Sequence, residues 1–220
     1  MNTLEHKRVL VTAGPTYEAI DPVRFIGNRS TGKMGLAIVE RLLNKQCHVV
    51  LIHGPLQVPV PTHKNLEVIS IESAEEMYRA TMKSFPTCDI GIFAAAVADY
   101  TPVHVADQKI KKSEDTFFLA LKKTVDILKE VGKTKKPTQC IIGFALETND
   151  EEANAMKKIE GKNLDAIVLN SLNDAGAGFA HETNKIKIIQ RNGEMISFEL
   201  KNKSAVANDI VEFIEKIAGA

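Results

Sequence analysis

Cysteine is scarce in these 220 residues: Cys47, Cys88 and Cys140 stand far apart, their number is odd, and no two form a CxxC pair. That excludes a disulfide framework and a thiolate zinc site, and it points to a reducing, cytoplasmic setting. The six histidines are scattered without an HExxH pair or other ligand spacing, so no dedicated metal site is expected. Neither sign of charge dominates, with 28 Lys plus Arg against 28 Asp plus Glu, which argues against a nucleic-acid partner. No apolar run approaches the ~18–20 residues of a membrane span, so no membrane association is expected. The start, MNTLEHKRVLVTAG, passes directly from a polar cap into a strand-like run, and no signal peptide is expected. Repeats, low-complexity stretches and clear linkers are absent as well. With ~150 residues per domain as a prior, residues 1–220 read as a single domain.

What is present is a series of short apolar runs separated by helical patterns. Lys7–Ala13, His48–Ile52, Leu66–Ile71, Asp89–Ala96, Gln139–Ala145 and Asp165–Asn170 are strand-like, several of them apolar throughout, as in a parallel sheet buried on both faces. Helical spacing begins near Lys33 and recurs over Asn149–Gly161 and Ser204–Ile217; Asp126–Gly132 reads as a short helix. Ser73 followed by Glu76 is a capping box opening a helix to about Lys83. Asn192-Gly193 between Lys185–Gln190 and Glu194–Leu200 signals a hairpin. Thr116–Lys122 alternates like a β-ribbon. The expected fold is α/β: a doubly wound, Rossmann-like parallel sheet with helices on both faces and a small antiparallel extension. Ligands then sit at the carboxyl ends of the strands.

Residues 14–32 read as one long loop, and a connection of that length is expected to be functional. Within it Gly27–Lys33 spells G-x-x-x-x-G-K, but Met34 replaces the hydroxyl residue a P-loop needs, and the segment does not directly follow its strand. The helix start beyond Gly32 is still suited to phosphate, because its first amides are unpaired and its dipole is positive there. Gly176-Ala177-Gly178 begins a dinucleotide-like pattern that His181 breaks, and a strand rather than a helix follows it. In AAAVADYTPVHVADQKIKK, small residues at a strand end admit a ligand close to the backbone, Asp99 follows, and Lys109, Lys111 and Lys112 can offset polyphosphate charge. Phe144, in IIGFALET, reads as core or as a base-stacking platform. Lys158 and Lys162 share one helical face. A dinucleotide-dependent oxidoreductase and a non-catalytic nucleotide-binding module remain open on this reading.

Taken in order, GPTYEAIDPVRFIGNRSTGKMG, AAAVADYTP with KIKK, GFALET, and KNLDAIVLN with NDAGAGF resemble the phosphopantothenoylcysteine synthetase (phosphopantothenate–cysteine ligase) family over nearly the whole chain. The resemblance is to its stand-alone bacterial type. It implies a ligase of coenzyme A biosynthesis that couples 4′-phosphopantothenate to L-cysteine. CTP is the co-substrate, magnesium accompanies it, and an acyl-cytidylate forms as pyrophosphate leaves. It further implies Asn28 as the polar group at the acyl phosphate, an amide donor for the oxyanion. Lys109 would contact the triphosphate, and Arg24 would hold the acyl intermediate. Phe93, Ala94, Ala95, Asp99, Asp126, Ile127, Phe144, Lys158 and Lys162 match nucleotide-binding positions, and Ser30 and Gly32 would receive the substrate phosphate. A homodimer that draws on the partner chain near the site is implied, with Thr116–Lys122 as its arm. A separate phosphopantothenoylcysteine decarboxylase would act next. The chain departs from the family pattern at Val125, where proline is usual, and at Leu146, where alanine is usual.

Overall fold

The polypeptide, described from a computed structural model over residues 3–111, 115–147, 150–171 and 182–218, begins with β1 (Arg8–Ala13), β2 (Tyr17–Ala19), β3 (Phe25–Gly27) and α1 (Lys33–Asn44). Next come β4 (His48–His53), β5 (Leu66–Ser70), α2 (Ala74–Ser84), β6 (Ile90–Phe93), β7 (Tyr100–Pro102), β8 (Leu121–Lys123) and α3 (Ile127–Thr134). Then follow β9 (Cys140–Glu147), α4 (Glu151–Gly161), β10 (Ala166–Ser171) and β11 (Thr183–Asn184). The last elements are β12 (Ile186–Gln190), β13 (Met195–Ser197), β14 (Lys201–Asn202) and α5 (Lys203–Ala218).

Eight strands form one sheet in the order β13-β12-β10-β9-β6-β1-β4-β5. The six from β5 to β10 are parallel, and β12 and β13 extend the sheet antiparallel. The chain order reverses between β1 and β6, where a crevice opens at the carboxyl ends of the strands. The expected doubly wound α/β fold is what the structure has. Val9, Val11 and Val168 of the sheet pack with α1 and α5 on one face, while Leu10, Ile141 and Ile167 pack with α2, α3 and α4 on the other. Strands exposed to apolar neighbours on both faces must be apolar throughout, which is why β1, β4 and β6 read as unbroken runs. The helix α1 buries Leu36, Ile38, Val39, Leu42 and Leu43 along one stripe, each side chain worth roughly 1.5–3 kcal/mol of burial. Among the described residues, no helix is long and apolar enough to cross a membrane.

Two expectations need correction. Residues 14–32 are not a plain loop: β2 and β3 pair antiparallel within them, with Tyr17 stacked on Phe25 at 3.8 Å between ring centroids. Asp21, at the turn and 2% exposed, accepts from the amides of Val23 and Arg24 at 2.9 Å and from Nε of Arg24 at 3.0 Å. It also accepts from the Ile110 amide at 3.1 Å, fastening the 106–111 segment to the hairpin. The Arg24 guanidinium holds the Asp21 carboxyl well below the usual carboxylate range. The second correction concerns Thr116–Lys122: only its end is strand, as β8, and its partner is β7, about twenty residues earlier. Among the described residues, 116–119 find no backbone partner, and pairing begins at Ala120, whose carbonyl accepts from the Val103 amide. The Gly176–Gly178 pattern, His181, Lys112 and the Asn149 start of the fourth helix lie outside the described residues.

Candidate active site

Residues at the carboxyl ends of β1, β6, β9 and β10 enclose a cavity of about 770 Å³, room for a nucleotide-sized ligand. Its floor is stitched from two turns. Ala94 and Ala95 donate to the carbonyl and hydroxyl of Thr12, and the Ala98 amide donates to the Thr16 hydroxyl at 3.0 Å. With only methyl side chains over 94–96, this strand end leaves the backbone reachable from the cavity.

The α1 mouth forms one side. Gly32 precedes the helix in a left-handed conformation (φ 79°), no side chain caps it, and Ser30, 8% exposed, accepts from the Gly32 amide at 3.4 Å. The first amides of α1 are therefore left to a ligand. Gly35 lies so close to Ala13 that an added Cβ would come within 2.5 Å of the alanine methyl, which seats the helix directly on β1.

The opposite side carries Asp126, Ile127, Phe144, Lys158 and Lys162. Asp126 caps α3 by accepting from the Lys129 amide at 3.1 Å, and the Lys162 ammonium reaches its carboxylate at 2.8 Å. Both residues are thus oriented by one another. The two family departures, Val125 and Leu146, also line the wall.

Of the residues singled out from the sequence, Asn28, Ser30, Gly32, Phe93, Ala94, Ala95, Asp99, Asp126, Ile127, Phe144, Lys158 and Lys162 all border this one cavity. Arg24 and Lys109 do not. The Arg24 guanidinium is engaged by Asp21 and donates to the Ile110 carbonyl at 2.9 Å, and Lys109 sits on that same tethered segment. Asn28 is held differently from the expectation. Its Nδ2 donates to the Ala96 carbonyl at 2.9 Å and the Val97 carbonyl at 3.1 Å. Two carbonyl acceptors fix the amide orientation and occupy both hydrogens of Nδ2, so Oδ1 is the atom offered to a ligand, and donation to an oxyanion would require one of these bonds to break.

Sequence reasoning passed over Lys33, Asn170, Asn184 and Lys203, which also border the cavity. Asn184, 2% exposed, donates to the Asn170 side chain at 3.2 Å. Lys33 forms an ion pair with Glu182, which lowers the Glu182 pKa, while burial lowers that of Lys203. Lysine at a helix start was the available signal, since position and dipole are mismatched there. Burial pushes the thiols of Cys47 and Cys140 up to about 11 and about 12, which leaves neither nucleophilic at neutral pH. Among the described residues, no three His, Cys, Asp or Glu gather to hold a metal.

The family model described as the DNA/pantothenate metabolism flavoprotein C-terminal domain matches residues 4–217. Over 216 residues the chain is 45% identical to the coenzyme A biosynthesis bifunctional protein CoaBC of Bacillus subtilis (strain 168), covering 98% of this chain and 52% of that protein. It is 49% identical over 211 residues to a cysteine/cysteine sulfinic acid decarboxylase of an unknown prokaryotic organism, covering 96% of this chain and 58% of that one. The crystal structure of the C-terminal domain of a coenzyme A biosynthesis bifunctional protein CoaBC superimposes with a TM-score of 0.82 at 40% identity, covering 97% of this chain and 98% of that chain. The chain spans little more than half the length of the curated relatives it matches.

Proposed function

Because the chain belongs to the DNA/pantothenate metabolism flavoprotein C-terminal domain family, we propose that it is a phosphopantothenate–cysteine ligase of coenzyme A biosynthesis that uses CTP. The observation that supports this best is the single cavity in which Asn28, the uncapped start of α1, Phe144 and the Asp126–Lys162 pair converge. A carboxylate resists attack by an amine, so it must first be activated. Its oxygen attacks the α-phosphate of CTP, the bond to the β-phosphate breaks, and pyrophosphate leaves with the electron pair. The cysteine amine then attacks the acyl carbon and CMP departs.

In this reading Phe93, Ala94, Ala95, Asp99, Asp126, Ile127, Phe144, Lys158 and Lys162 receive the nucleotide, and Ser30 and Gly32 receive a phosphate. Asn28 Oδ1 accepts a hydrogen bond from the attacking amine and aims it at the acyl carbon of the mixed anhydride. Magnesium arrives on the triphosphate as part of the substrate, with phosphate and water oxygens as its ligands. Arg24 and Lys109 act from a neighbouring copy. They share the hairpin end of the molecule with Val23, Phe25, Val105 and Phe118, all at least half exposed, an apolar face suited to a second chain.

The test incubates the protein with CTP, magnesium and phosphopantothenate and follows pyrophosphate before and after cysteine is added. Pyrophosphate release followed by cysteine-dependent CMP is expected. Absence of pyrophosphate in both phases rejects the ligase, and nucleotide binding without turnover would leave a binding module.

A further inference from the structure

The strands β10 and β11 bring two asparagines together at the cavity wall. Along β10, Ala166 and Val168 pack on the α1 and α5 side of the sheet, and Ile167 and Leu169 on the other. Alternation puts Asn170 in the row of Ala166 and Val168, at the carboxyl end of the strand, where it borders the cavity. Asn184, 2% exposed, stands beside it on β11, which pairs with β14 just before α5. A carboxamide so buried is tolerated when its polar atoms are bonded, and here the bonds run in one direction. The Lys185 amide donates to Asn184 Oδ1 at 3.1 Å, and because a backbone N–H can only donate, it fixes which end of Asn184 is oxygen. Nδ2 of Asn184 consequently donates to Asn170 Oδ1 at 3.2 Å, which orients Asn170 in turn. Among the described residues, Nδ2 of Asn170 has no partner. Asn28 thus offers the cavity an acceptor and Asn170 a donor. Across the sheet Asn170 is in register with Leu146, and Phe144 lies two residues back along β9, so both share its side of the sheet.

We propose that Asn184 is a positioning residue that sets Asn170 as a hydrogen-bond donor to an oxygen of the bound nucleotide. The choice of ligand rests on the ligase reading, in which the neighbouring Phe144 receives the nucleotide. Asn184 touches no ligand in this arrangement; it acts by holding the oxygen of Asn170 away from the cavity. The arrangement has a polarity that can be reversed. A carboxylate cannot donate, so Asn184→Asp keeps the shape, still accepts from the Lys185 amide, and takes its second bond from Asn170 Nδ2. Asn170 then turns over and presents Oδ1, an acceptor facing an acceptor.

Calorimetric titration with CTP, CMP and phosphopantothenate compares wild type, Asn170→Ala, Asn184→Asp and the double variant. Asn170→Ala is expected to weaken CTP by about tenfold, and Asn184→Asp by at least as much. In the Asn170→Ala background, Asn184→Asp should add less than about twofold, because the residue through which it acts is gone. Phosphopantothenate should move less than about threefold in every variant. Asn184→Ala brings no charge into the core and serves if the Asp variant does not fold; it leaves Asn170 free to turn and should cost about threefold, again only where Asn170 is present. Loss for CTP without loss for CMP puts the accepting oxygen on the terminal phosphates, and equal loss for both puts it on the nucleoside monophosphate. A merely structural Asn184 would cost the same factor in both backgrounds, and that result overturns the inference. Unchanged CTP affinity in Asn170→Ala, or a loss confined to phosphopantothenate, overturns it as well. Pyrophosphate release by wild type with unchanged CTP affinity in the variants refutes the Asn170 assignment alone. Selective loss of CTP in Asn170→Ala, with no pyrophosphate released by wild type, refutes the ligase reading alone.

Discussion

Replacing Asn28 separates positioning from nucleotide binding. Its Nδ2 makes two hydrogen bonds, 2.9 and 3.1 Å long, to the carbonyls of Ala96 and Val97. At roughly 0.5–1.5 kcal/mol each, the pair holds the side chain with about 1–3 kcal/mol. Asn28 is exposed, so water replaces these bonds in a truncated variant, and stability should fall by less than about 1 kcal/mol. The loss appears in the second half-reaction instead. If about 2 kcal/mol of positioning is absent when the amine attacks, amide formation slows about thirtyfold. Asn28→Asp should be slower than Asn28→Ala, because a carboxylate oxygen would face two carbonyl oxygens at about 3 Å and must swing away. Single-turnover quenching with phosphopantothenate and CTP, followed by a cysteine chase, reads both steps. Pyrophosphate should appear at the wild-type rate while the acylated nucleotide accumulates. An Asp variant forming amide at the wild-type rate would falsify the role assigned to Asn28.

Gly32→Ala meets left-handed strain and a Cβ 2.1 Å from a Leu56 methyl, whereas Gly193→Ala meets only the strain, with open space around it. A loss of about 2 kcal/mol, or about 4–8 °C in Tm, is expected at Gly32 and about half that at Gly193, so equal shifts in thermal scans contradict the steric argument. Asp21, with its folded pKa lowered by Arg24, stabilises the protein above the ordinary carboxylate range of about 4; that contribution fades as pH falls further. Denaturation midpoints of wild type and Asp21→Asn should therefore converge in acid and diverge near neutrality; a constant gap across pH removes this linkage. Phe118, 92% exposed, should be dispensable for folding but not for pairing of copies. Sedimentation of Phe118→Glu should show a slower species with an unchanged Tm, and unaltered sedimentation argues against that surface.

The legible parts of the sequence were those set by local chemistry. Ser73 and Glu76 cap one another at the start of α2 as the capping box predicts, with the Glu76 amide donating to the Ser73 hydroxyl at 3.2 Å. Asn192-Gly193 turns between β12 and β13, with Gly193 at φ 86°. The buried strands announced themselves because both their faces are covered. What escaped depends on partners far along the chain. The three-residue strands β2 and β3 are too short to show alternation, and they stand on a ring stack and on Asp21's bond to Ile110, 89 residues away. The orientation of Asn28 is dictated by carbonyls 68 and 69 residues distant. Most residues singled out by motif matching border the cavity, yet Arg24 and Lys109 were grouped with them, since ordered blocks do not say which side chains share one cavity within one chain.

Isotope transfer offers the shortest route to the chemistry. Phosphopantothenate labelled with oxygen-18 in its carboxylate, incubated with CTP, magnesium, cysteine and the protein, should deliver one labelled oxygen to CMP, read by mass spectrometry. Label found in inorganic phosphate, or unlabelled CMP alongside labelled amide and water, would contradict activation at the α-phosphate.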